Sequence, residues 1–128
     1  MSWDIVLFKN KIDLSDNGSE PEPIGDRRET IKQLLIIEPD IDFNDEAWGI
    51  YFDGETSIEL NIGDENNINV IMLHVRGSGN PFKFIAKICR HFKWHALDGS
   101  TGDWINIDNS SNDSWDRWQN YRDKIKGQ

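Results

Sequence analysis

Four residues have the types and spacing for acid–base chemistry: Tyr51, Glu59, His74 and Arg76. A histidine beside an arginine and a carboxylate can move a proton on an anionic substrate, with the guanidinium as counter-charge. The same residues also make an ordinary cross-strand Arg–Glu pair with a neighbouring His, because strands of period two gather their polar side chains on one face whether or not anything binds there. Other chemistry is sparser. His74, His91 and His95 show no ligand spacing with one another or with the single cysteine, Cys89, and neither HExxH nor CxxC occurs, so no metal and no cofactor is expected. Gly77, Ser78 and Gly79 precede a helix start, where backbone N–H groups can hold an anion. Phe82, however, stands where a dinucleotide fingerprint needs its third glycine, and no Walker lysine follows. Cys89 falls on an apolar helical stripe, where cysteine behaves as a small hydrophobe. There is no GxSxG, and Ser100 and Thr101 belong to a DGSTGD turn suited to local hydrogen bonding.

The elements that must position the four residues lie between Trp48 and Gly77. There the alternation of apolar and polar residues reads as a three-stranded meander, with turns at Asp53-Gly54 and Gly63-Asp64. The pattern places Ile50, Phe52, Ile58, Leu60, Ile62, Ile71, Leu73 and Val75 on the core side. It places Tyr51, Glu59, His74 and Arg76 on an open side, with Asp98 and Asp103 near the sheet end. Around the meander, residues 3–9 read as a strand and residues 13–25 as a flexible loop. Asp26 caps a helix with Glu29 in capping-box spacing, and Pro39 stops it. Residues 40–47 read as an acidic connection. Asn80 caps a second helix with Pro81 at its first position, and Phe82, Ile85, Cys89 and Phe92 form its apolar face. Two short strands, 95–97 and 103–107, precede a third helix from about residue 112, with Trp115, Trp118, Tyr121 and Ile125 at helical spacing. The expected order is β-α-β-β-β-α-β-β-α. That is one two-layer α+β domain over residues 1–128, mainly antiparallel, with about three helices on one face of the sheet.

Charge narrows the partners. The chain of 128 residues carries −9 overall, but residues 13–65 hold −13 and residues 66–128 hold +3. An acidic half of this strength disfavours nucleic acid and anionic membranes and favours a basic protein. Within it, Asp42, Asp45 and Glu46 can steer such a partner. No apolar run approaches the roughly 20 residues that span a bilayer. The N-terminus lacks a leading basic segment and reads as a strand rather than a signal peptide, and one cysteine excludes an internal disulfide, so a cytoplasmic protein is expected.

At WGIYFDGETSIELNIG, LHVRGSGNP and ALDGSTGDWI, with its MSWDI start, the chain resembles a family of small, largely uncharacterised bacterial single-domain proteins. That resemblance implies a size and a build and carries over no catalytic residues. In size, acidity and α+β character the chain is also similar to the immunity proteins of bacterial toxin systems, which bind and block a basic toxin domain. The reading is a non-enzymatic acidic protein-binding domain, with immunity as its sharpest form. Two alternatives stand beside it: a small enzyme or anionic-ligand binder using Tyr51, Glu59, His74 and Arg76, and a homodimer through the open sheet face.

Overall fold

Alternation builds the strands, and the register between them decides which half of each strand is dry. In a computed structural model describing residues 2–13, 15, 20–108, 120 and 123, the elements are β1 (Trp3–Phe8), β2 (Gly25–Asp26), α1 (Arg27–Ile37), β3 (Asp42–Asp45), β4 (Trp48–Phe52), β5 (Thr56–Asn61), β6 (Asn67–Ile68), β7 (Ile71–Gly77), α2 (Phe82–Phe92) and β8 (His95–Asp98). Six strands form one antiparallel sheet in the order β3-β4-β5-β7-β1-β8, and β2 pairs with β6 in a small second sheet. The fold is thus α+β and mostly antiparallel, and the expected meander forms its β4-β5-β7 centre.

The two helices start and stop as their end residues require. Asp26 Oδ2 accepts the Glu29 N–H at 2.9 Å, and the Glu38 N–H closes the last turn of α1 on the Leu34 carbonyl, one residue before Pro39. Asn80 Oδ1 accepts the Phe82 N–H at the start of α2. At its end Lys93 takes left-handed geometry (φ 59°), and the Trp94 N–H returns to the Cys89 carbonyl. Leu34 of α1 and Phe84, Ile85, Ile88 and Cys89 of α2 share one buried cluster with Trp3, Ile5, Leu7, Ile58, Leu60, Ile71, Leu73 and Val75 of the sheet. Both helices therefore cover the same face. The buried face of α2 is broader than the expected stripe: Phe84, Ala86 and Ile88 join Ile85 and Cys89 inside, while Phe82 and Phe92 are only half-buried.

Three expectations change. Ile50 and Phe52 do not face the core: they are 44% and 64% exposed, and Tyr51 faces inward, its ring 4.5 Å from that of Phe84. The cause is Gly49. It lies opposite Leu60 on the helix-covered face, where an added Cβ would stand 2.6 Å from the Phe43 ring and 3.1 Å from Ile41 Cγ2. With Gly49 inward, period two sends Tyr51 inward and Trp48, Ile50 and Phe52 outward. Second, the acidic connection 40–47 contains an edge strand, β3, hidden because Asp and Asn are poor strand formers and only Phe43 is apolar. Third, residues 103–107 form an isolated bridge, Leu97 to Trp104, instead of a strand. The helix expected from residue 112, with Trp115, Trp118, Tyr121 and Ile125, lies outside the described residues, as do residues 14 and 16–19 of the 13–25 loop.

Gly49→Ala is expected to destabilise the fold by about 1–3 kcal/mol, as overpacking does. The loss should shrink in a Phe43→Ala background, where the ring it meets is gone. Denaturant unfolding of the double-mutant cycle checks this, and an unchanged penalty would count against the Phe43 contact as its cause. Cys89 is fully buried, and burial pushes its thiol up to about 12. An aromatic disulfide reagent at neutral pH should leave it unlabelled until the protein unfolds.

Candidate functional site

The strand register arranges the outer face of the sheet, the one opposite α1 and α2, in rows. Asp42, Ile50, Glu59, His74 and Asp4 lie side by side across β3, β4, β5, β7 and β1. The adjacent row runs Asp45, Trp48, Asn61, Met72, Val6 and Leu97. On the other flank Phe52, Ser57 and Arg76 line up. Glu59, His74 and Arg76 are thus brought together as their spacing implied. Tyr51 is not with them, because the register of Gly49 turns it to the opposite side of the sheet.

Each ionisable group in the cluster already has a protein partner. Arg76 Nη1 is 3.0 Å from Glu59 Oε1, and His74 Nδ1 is 2.8 Å from Asp4 Oδ1. The His74 ring lies 5.8 Å from that of Trp48, with 17° between their planes. Burial works against ionising Asp4. The Ser2 hydroxyl, the His74 hydrogen bond and the charges of His74 and Arg76 outweigh it and hold the carboxyl below its ordinary range. The arrangement is that of paired charges on a sheet surface. Its aromatic groups can meet another molecule, while Asp4, Glu59, His74 through Nδ1 and Arg76 are engaged with one another.

The acids singled out as steering groups fall at one edge. Asp42 and Asp45 stand on β3 beside Ile50 and Trp48, and Glu46 in the following turn reaches Arg27 Nη2 at 3.7 Å. Asp42 Oδ1 accepts the Asn44 N–H at 2.8 Å and Asp45 Oδ1 accepts the Ala47 N–H at 2.9 Å. Asp98 and Asp103 lie elsewhere. Asp98 is 1% exposed and its Oδ1 takes the Trp3 indole N–H at 3.0 Å, while Asp103 is exposed in the turn beyond β8.

The glycine turn has a packing role. A Cβ on Gly77 (φ 104°) would lie 2.1 Å from the Glu55 carbonyl oxygen, and one on Gly79 would lie 2.2 Å from Thr56 Oγ1. The Ser78 N–H is spent on the Glu55 carbonyl at 3.0 Å. The glycines let the turn lie flat against the start of β5.

Among the described residues, two concavities lie away from the outer-face cluster. One of about 310 Å³ lies between β4, β5 and the start of α2, with Tyr51, Glu38, Asp53, Lys83 and Lys87 in its wall. Burial, then Glu38, Asp53 and Asp40, raise the Tyr51 hydroxyl above its ordinary range against an opposing Lys87, and Lys87 Nζ is 3.0 Å from Glu38 Oε1. The other, about 570 Å³, runs between α2 and residues 104–108 past Lys11, Arg90, Lys93, His95 and Trp104. Among the described residues no three His, Cys, Asp or Glu side chains gather as metal ligands, and no helix is long and apolar enough to cross a membrane.

Sequence reasoning missed Ile50 and Phe52 as outer-face residues, and it missed Asp4 as the partner of His74. Gly49 was the available signal for the first two. Nothing local signals Asp4, which is 70 positions from His74.

The depressed Asp4 carboxyl gives a signed pH dependence. Its ionised form is favoured in the native state, so its contribution to stability is present above the unfolded value, about 4, and is lost as pH falls through the lower folded value. Asp4→Asn should therefore be less stable than the parent at neutral pH, and the gap should close at acid pH once the lowered Asp4 carboxyl is protonated in the folded state. Chemical denaturation at both pH values checks it, and a gap that does not change with pH would contradict the pairing.

Compared with known proteins, the chain matches no family model, no curated protein and no solved structure.

Proposed function

We propose that this chain is a non-enzymatic protein-binding domain that holds a basic protein partner. In its sharpest form it is an immunity protein that blocks a basic bacterial toxin domain. The observation that carries the reading is the −13 balance of residues 13–65, part of which stands at one sheet edge. Asp42, Asp45 and Glu46 are all exposed there, and of the three only Glu46 has a cationic neighbour, Arg27, among the described residues. Unpaired surface carboxylates at this density raise the encounter rate with a cationic surface and repel anionic ones.

Tagged protein used as bait in lysate of its own cells should retain a basic protein at about 50 mM salt and release it near 500 mM, where the Debye length has fallen below about 5 Å. For the immunity form, expression of that protein alone should arrest growth and co-expression of this chain should restore it. Retention of acidic proteins only, or of none, would sink the reading. A retained basic protein that is harmless alone would remove the immunity form.

A further inference from the structure

β4, whose inward Gly49 has no side chain, spends its larger apolar side chains on solvent. Trp48, Ile50 and Phe52 share the outward half of β4, with Ile50 44% and Phe52 64% exposed. Large hydrophobics scattered singly on a surface need no explanation, and Ile36 on α1, 61% exposed, is such a case. Consecutive outward positions of one strand make a patch. Carboxylates frame it on both sides: Asp42 and Asp45 on β3 lie directly beside Ile50 and Trp48, and Glu59 on β5 lies beside Ile50.

We infer that the outward side of β4, with Trp48, Ile50 and Phe52 at its centre and Asp42 and Asp45 at its rim, is the docking surface, and that its occupant is a basic protein presenting lysine or arginine side chains around an apolar contact. This rests on the proposed function and specifies its surface. Charge complementarity selects the occupant. The rim acids disfavour a second copy placed with the same acidic patch against this one, since a two-fold interface sets like against like. The centre is apolar and aromatic and the rim charged, the usual anatomy of a protein interface. The partner docks on the face and does not extend the sheet at β3. Asn44 and Ala47 already give their N–H groups to Asp42 and Asp45, and the β3–β4 register shifts between those two residues, so the edge is a poor template for another strand.

The test places a photo-crosslinking phenylalanine analogue at position 52, and separately at position 36, in the full chain inside its own cells. Position 52 should join to a basic protein and position 36 should not. The captured protein is then identified, made recombinantly and titrated against variants by calorimetry. Ile50→Ser/Phe52→Ser should weaken binding at least about tenfold, as loss of a buried apolar centre does. Asp42→Asn/Asp45→Asn should slow association and flatten its salt dependence. Because both apolar residues are exposed, the parent's melting temperature should survive in these variants. Phe52→Ala serves as the milder variant if the double one unfolds. A basic partner whose affinity ignores Ile50 and Phe52, or that joins from position 36 instead, overturns this surface and leaves the proposed function standing. Cross-links only within the chain, to a second copy or to an acidic protein overturn the inference. If neither position captures anything and the bait retains no basic protein, both fall.

Discussion

One missing side chain sets the use of the sheet. Gly49 lies against the ring of Phe43 and the methyl of Ile41, in a space with no room for a Cβ. A strand has only two phases, and with Gly49 inward every other residue of β4 is assigned. The other phase would have buried Trp48, Ile50 and Phe52, the larger apolar set. The observed phase buries Tyr51 against Phe84 and leaves Ile50 and Phe52 in water. Burying an apolar side chain is worth about 1.5–3 kcal/mol. The fold forgoes most of that at two positions to keep one tight contact, and that is why the outer face carries a patch at all.

The far edge of the sheet is held by a different device. Asp98 ends β8 in a buried position, and its Oδ1 accepts from the Trp3 indole at 3.0 Å, the Ser100 N–H at 2.9 Å and the Ser100 hydroxyl at 2.6 Å. One carboxylate oxygen thus ties the first strand to the turn after β8, while Oδ2 is buried with no partner among the described residues. A buried carboxylate is expensive unless its acceptors are used, so this one is better explained by the geometry it specifies than by net stability. It fixes the edge beside β1, and β1 brings Asp4 alongside His74.

Much of this was legible in the chain. The phases of β5 and β7 followed from Ile58, Leu60, Leu73 and Val75 alternating with polar residues, and those two strands were enough to bring Glu59, His74 and Arg76 together. Both ends of α1 followed from Asp26 and Pro39, and the start of α2 followed from Asn80 and Pro81 to within one residue, since a cap is local chemistry; the left-handed end of α2 at Lys93 did not. β4 was misread because WGIYF is apolar in both phases, so periodicity has nothing to choose between, and the decision lies with residues 41 and 43 on another strand. β3 was missed because its composition suits a loop, and only pairing with β4 makes it a strand. Asp4 was missed as a partner because contact between the first strand and the third meander strand is a property of topology, which no local pattern encodes.

The misread strand and the missed strand are neighbours, and together they redirect the functional argument. The expected working face had a tyrosine, a glutamate, a histidine and an arginine, a set suited to catalysis. With Tyr51 removed to the other side, and Asp4 pairing with His74, the face keeps its charges in mutual pairs. It gains instead an aliphatic and two aromatic side chains flanked by an acidic edge strand. Protein recognition needs an apolar centre, a charged rim and a rigid base, and a six-stranded sheet backed by two packed helices is a rigid base. The same phase of β4 that costs the core two apolar residues therefore gives this face its apolar centre.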